Sequence, residues 1–255
     1  MSYAQHSVAI PLSTHRRRAF TLVELLVVIG IIAVLIGILL PALSKARKQG
    51  AWATCLSNMR QLGQAILMYS NEYKGYFPRP ASGTNGAYPD DFVNWLQPPA
   101  TSATGQFYAF GDSCLNPMFG NLGTAKLNAI YRCPLDTPED RPPQAGRTTF
   151  GTYKYSYSMN AYWEVAPDLN PVPGFSMDMP RPRFNQVLHG ATKILCVEEA
   201  NPNDGRWIYA PGTDDVTDRH GGKGNILFHD CHVEALYNKQ VINNVLSWDD
   251  PFHDN

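Results

Sequence analysis

Residues 16–43 read RRRAFTLVELLVVIGIIAVLIGILLPAL. From Phe20 to Leu40 only Thr21 and Glu24 are polar. As a helix, about 21 residues rise ~30 Å, the thickness of a bilayer's hydrocarbon core. Arg16, Arg17 and Arg18 precede the run, which favours a cytoplasmic N-terminus. Lys45, Arg47 and Lys48 follow it and weaken that asymmetry. A secretory signal peptide has a shorter apolar core, ~7–15 residues, that ends at a small-x-small site. Here the run passes straight into Pro41 and a further helical pattern. A plain membrane anchor would leave Glu24 unexplained, because an ionisable group inside a spanning helix is costly and calls for a partner.

Beyond Pro41, Trp52, Cys55, Leu56, Met59, Leu62, Ile66, Tyr69 and Tyr73 recur every three or four residues. Gly75 and Pro78 supply a stop. The pattern predicts one helix over about 20–74, apolar all round at first and then amphipathic. Pro41 and Gly50 are the places for a kink. Trp52 is expected to pack against a sheet rather than to sit at a membrane interface.

The remainder is rich in Gly, Pro, Asn, Asp and Tyr. FVNWL and FGNLGTAKLNAI read as short helical turns, and TYKYSYSMNAYW and KILCVEEA as strands. GNILFHDCHVEAL reads as two strands joined near Asp230 and Cys231. Strands clustering after one long helix predict an α+β fold, with a small antiparallel sheet and long loops packed on the helix's second half. The formal net charge is −1, and no basic block lies outside the N-terminal region, which argues against nucleic acid as a partner.

Signatures of catalysis are absent: no nucleophile elbow, phosphate loop or His-Glu-x-x-His occurs. Glu198 and Glu199 are adjacent at a strand end and so face opposite sides, unsuited to a shared catalytic pair. The expectation is a protein without enzymatic activity. His220, His229, Cys231 and His232 invite a metal reading, but strand parity divides them, and ordinary hairpin residues are the expectation. Asn201, Asn203, Asp204, Asp214, Asp215 and Asp218 could gather around calcium. No EF-hand spacing is present, so solvated turns are expected, and no cofactor or metal is assigned.

The opening stretch resembles the prepilin N-terminal motif of type IV pilins and type II secretion pseudopilins. The resemblance implies a leader over 1–19, cut between Ala19 and Phe20 by a prepilin peptidase that also methylates the new Phe20 amine. Gly is more usual than Ala19 before the cut. Glu24 then stands fifth in the mature chain, where the family keeps a Glu, and Pro41 matches a proline at the end of the apolar run. It implies a transmembrane and assembly half over 20–42, an amphipathic half over 43–75, and an extracytoplasmic head over 76–255. It implies a single pass through the bacterial inner membrane, and other pilin-like subunits as partners. In such a filament a buried carboxylate needs an opposite charge, and the neighbouring Phe20 amine would give Glu24 one. Some pseudopilins bind calcium in a C-terminal loop.

A narrower resemblance covers CLSNMRQLGQAILMYSNEYKGYFP from Cys55, CPLD from Cys133, and His220 followed after nine residues by Asp230. Many prepilin-type proteins share these, with Asp-Gly at the last position; here Cys231 replaces the Gly. Five cysteines leave at least one unpaired within the chain. Because both lie in the shared motifs, Cys55 with Cys133 is the preferred disulfide; Cys114 with Cys133 is the rival. Cys196, in an apolar strand, is expected as a buried thiol. Two functions follow as expectations: a filament subunit of the pilus or pseudopilus type, or a membrane-tethered binding module that uses the same processing pathway without polymerising.

Overall fold

The computed structural model describes residues 21–80, 92, 113–137, 155–161, 183–202, 205–207 and 214–243. Contacts divide the chain after Arg47. The first helix, α1, spans Leu22–Glu72 and runs through Pro41 without interruption. Proline has no N–H, so one backbone hydrogen bond of that turn is missing. From Leu22 to Leu43 the large aliphatic side chains are exposed, as befits a surface made for lipid or for other apolar helices.

The segment after Arg47 has its own core. Cys55, Met59, Leu62, Ile66 and Tyr69 of α1 are buried, at the spacing of one helical face. Tyr73 is exposed, so the buried face ends one turn before the sequence pattern does. Two left-handed residues, Lys74 (φ 58°) and Gly75 (φ 89°), then stop the helix. The Gly75 N–H reaches back to the Ser70 carbonyl at 2.7 Å, and so satisfies a carbonyl that the helix end would orphan. A short helical turn at Pro117–Phe119 and helix α2, Thr124–Tyr131, follow. FVNWL lies outside the described residues, apart from the buried Phe92.

The sheet contains β1 (Tyr157–Asn160), β2 (Ile194–Glu198), β3 (Arg206–Trp207), β4 (Gly224–Phe228) and β5 (Val233–Leu236), in the order β3-β1-β2-β4-β5. Helix α3, Asn238–Asn243, comes last. Three of the pairings are antiparallel, but β1 and β3 run parallel, with Met159 opposite Arg206. The sheet is therefore mixed, a correction to the antiparallel expectation. β3 is two residues long, too short to show a pattern in sequence.

One irregularity decides what faces the helix. The pairing of β2 with β4 shifts between Ile194 and Cys196. Such a bulge breaks strand alternation. Leu195 and Cys196 thus both join the core that contains the α1 face, together with Tyr157, Met159 and Leu227. Ile194 and Val197 join a second cluster, with Trp207, Val216, Ile226 and Phe228. The helix lies close to β4: a Cβ at Gly63 would come within 2.9 Å of a Leu227 methyl.

The β4–β5 hairpin closes at the Asp230–Cys231 step. The Cys231 N–H donates to the Phe228 carbonyl, and the Phe228 N–H donates to His232, both at 2.9 Å. Cys231 is left-handed, at φ 70°. This is a three-residue hairpin loop ending in a left-handed bulge residue, a position that glycine takes at least cost. The Cys231 thiol is set against α1, 3.5 Å from the Gly63 carbonyl.

Candidate functional site

Two places gather the residues singled out from the sequence. The first is the start of α1. Ala19 and Phe20 lie outside the described residues. Thr21 and Glu24 bond to each other reciprocally. The Thr21 N–H and hydroxyl donate to Glu24 Oε2 at 2.9 and 2.8 Å, and the Glu24 N–H donates to Thr21 Oγ1 at 3.2 Å. This is a capping box, which satisfies backbone donors that an α-helix leaves unpaired at its N-terminus. The Thr-x-x-Glu spacing that signals it stands in the sequence at Thr21 and Glu24.

The second place is a buried polar cluster under Trp52. Cys55 of α1 and Cys133, just past α2, form a disulfide across 78 residues, with Cα atoms 5.1 Å apart. Cys114, Cys196 and Cys231 take no part in a disulfide. Burial pushes the Cys196 thiol well above its ordinary range, so it stays protonated and unreactive.

Beside the disulfide lies Glu198, fully buried at the end of β2. His220 Nε2 is 2.8 Å from Glu198 Oε2 and 3.6 Å from Cys133 Sγ. Asn225 Nδ2 donates to the same Oε2 at 2.8 Å, and Arg219 comes within 3.7 Å of Oε1. Asn and Arg nitrogens can only donate here, so Glu198 acts as the common acceptor and His220 carries its proton on Nε2. Trp52 covers the group: its indole N–H donates to Asn225 Oδ1 at 3.0 Å, and its ring stacks on His220 at 5.7 Å. Trp52 is thus a packing residue against the sheet, tied by its polar edge.

Arg219 extends the cluster outward. It pairs with buried Asp136 at 3.1 Å and donates to the carbonyls of Glu199 and Ala200. Ser156 Oγ donates to Asp136 Oδ2 at 2.5 Å and accepts from the Cys133 N–H at 2.9 Å. Asn58 of α1 donates to the carbonyls of Ala129 and Arg132. Helix, α2 and sheet are thereby joined through hydrogen-bonded polar groups in the interior, an arrangement that favours one packing. Glu199 makes a separate contact, accepting from Ser158 Oγ at 2.5 Å.

The two signature residues of the C-terminal motif part company. His220 belongs to the buried cluster. Asp230 caps the hairpin, accepting from the His232 N–H at 3.1 Å and from its ring at 2.5 Å. Burial alone would raise the Asp230 carboxyl, but the bonds from His232 hold it below its ordinary value. Of the four residues His220, His229, Cys231 and His232, only His220 belongs to the convergent group of possible metal-binding side chains among the described residues. Its companions there are Cys55, Cys133 and Glu198, a combination invisible to local spacing. Asn203 and Asp204 lie outside the described residues. Asp214 and Asp215 serve local bonds instead: Trp207 donates to the Asp214 carbonyl and Asn238 to Asp215 Oδ1.

His229 packs against the rings of Phe77 and Phe184 at 4.9 and 4.2 Å. Desolvation pushes its pKa from 6.5 down to about 4, against the smaller upward pull of Asp230. The unfolded chain therefore takes up this proton first as pH falls. The stabilisation from neutral His229 is complete above the unfolded value of 6.5 and is lost progressively towards 4. At 1.36 kcal/mol per unit the loss is about 3 kcal/mol. Replacing His229 by Phe should remove it. Between pH 7.5 and 4, the stability of wild type relative to that variant is expected to fall by about 3 kcal/mol in denaturant titrations. A gap independent of pH would overturn this reading.

The family described as the prokaryotic N-terminal methylation motif matches residues 14–40. No curated protein and no solved structure matches the chain. The matched residues include the Arg triplet, the Ala19–Phe20 step, Thr21 and Glu24, and reach Leu40 at the end of the apolar run. With the exposed apolar half of α1, the match supports a membrane-anchored protein of the type IV pilin pathway.

Proposed function

We propose that this chain is a structural, non-enzymatic subunit, cut between Ala19 and Phe20, methylated on Phe20 and assembled through the apolar half of α1 into a pilus-like or pseudopilus filament. The matched methylation motif carries the reading. The exposed Leu22–Leu43 surface supports it, since such a surface suits first a bilayer and then a bundle of like helices. In this reading a prepilin peptidase and methyltransferase acts on the N-terminus, which starts in the cytoplasm. The helix crosses the inner membrane once and holds a head of residues 76–255 outside the cytoplasm. Inside the assembled helices Glu24 meets the Phe20 amine of a neighbour, an opposite charge in an apolar setting.

The capping box favours a second reading. Because Thr21 already engages Glu24 within one chain, the carboxyl has a use without any neighbour. A membrane-tethered binding module that is processed but does not polymerise fits that geometry.

The intact mass of the native N-terminus, taken separately on membranes and on sheared surface material, tests both. A chain beginning at methylated Phe20 in the sheared fraction is the expected result. The same terminus confined to membranes would favour the tethered module. An uncut chain in both fractions would sink the prepilin reading.

A further inference from the structure

We propose that Cys55, Cys133, Glu198 and His220 form a zinc site when the disulfide is reduced, so that the centre of the head is held either by a sulfur–sulfur bond or by a metal ion. One ligand atom from each lies within 4.8 Å of the other three, and all four residues are buried. Tetrahedral zinc with bonds of ~2.0–2.3 Å needs ligand atoms about 3.3–3.8 Å apart. His220 Nε2 already stands 3.6 Å from Cys133 Sγ and 2.8 Å from Glu198 Oε2. Two sulfurs, one imidazole and one carboxyl are a donor set that zinc accepts and that calcium or magnesium does not favour.

The surroundings are suited to the ion. Asn225 Nδ2 donates to Glu198 Oε2 and would orient it from outside the coordination sphere. Two thiolates and a carboxylate around Zn²⁺ leave one negative charge, and Arg219, 3.7 Å from Glu198 Oε1, faces it. His220 Nδ1 is buried without a partner among the described residues. When Nε2 binds metal, the ring proton moves to that open nitrogen.

The exchange balances. Reduction by a dithiol adds two electrons and two protons to the Cys55–Cys133 bond, and the dithiol becomes a disulfide. Zinc then displaces the two thiol protons to solvent. Oxidation reverses both steps and releases the ion.

The test uses the full chain in detergent, reduced with a phosphine that ends as phosphine oxide, water supplying its oxygen and the two thiol protons. After the reductant is removed, zinc alone is added. The expected result is one zinc retained per reduced chain through gel filtration, with two fewer thiols open to a thiol reagent. Less than a tenth of that should be retained by the oxidised chain. Cobalt in place of zinc should show sulfur-to-metal charge transfer and the visible bands of tetrahedral coordination. Glu198→Gln in the reduced chain should weaken zinc at least tenfold. The wild-type comparison stands alone if that variant does not fold. A folded reduced chain that retains no zinc would overturn the proposal. So would equal retention by the oxidised chain, or a reduced chain that is unfolded and that zinc does not refold.

Discussion

A chain carrying Glu24→Ala is expected to reach the membrane at near-normal levels and to yield no sheared filaments. The argument is electrostatic. In an apolar bundle an amine without its carboxylate is an uncompensated buried charge, which disfavours each subunit added. The penalty recurs at every step, enough to abolish a polymer. The capping box makes a second substitution decisive. Glutamine at the same place can still accept from Thr21, so Glu24→Gln preserves the cap and removes only the charge. If pairing with a neighbour's amine drives assembly, both variants lose filaments, as counted by shearing and electron microscopy. Filaments from the glutamine variant would mean that Glu24 serves its own helix, and would favour the tethered module.

Glu198→Ala is expected to lower the stability of the head by about 3–5 kcal/mol. One carboxyl here serves donors from His220 and Asn225 and faces Arg219. Removing it leaves buried donors with no acceptor, which costs more than the bonds themselves contribute. Arg219 keeps Asp136, which limits the damage on that side. Denaturant titration of the oxidised chain would measure the loss, and a change under about 1 kcal/mol would show that the cluster relaxes around the gap.

Much of this was legible in the residues. The helical spacing from Cys55 to Tyr69 placed the buried face of α1, because burial there is periodic, and the β-branched and aromatic runs placed β1, β2, β4 and β5, of which β1, β2 and β4 are buried at every residue. β3 was not legible: Arg206 and Trp207 are two residues whose strand character comes from their neighbour β1. Nor was the bulge at Ile194 and Cys196, which turns an apolar run into two unequal faces. The buried cluster draws on positions 52, 55, 133, 136, 198, 219, 220 and 225, so no local window contains it. Where the shared motif has Gly, Cys231 holds the left-handed position, and its thiol rests on the helix at Gly63.

The Cys55–Cys133 bond also determines how the head bears tension. Force that travels along the helical backbone from Lys48 arrives at Cys55 before it reaches Met59, Leu62, Ile66 or Tyr69. At Cys55 it finds a covalent path into the segment around Cys133. Without that path the buried face would peel away one residue at a time, each step opposed by packing and, at Asn58, by its bonds to the Ala129 and Arg132 carbonyls. With it, the apolar contacts beyond Cys55 are shielded until the Cys133 segment itself gives way. An oxidised head is loaded in shear across its whole core, whereas a reduced one, unless a metal bridges the same two sulfurs, unzips from one end.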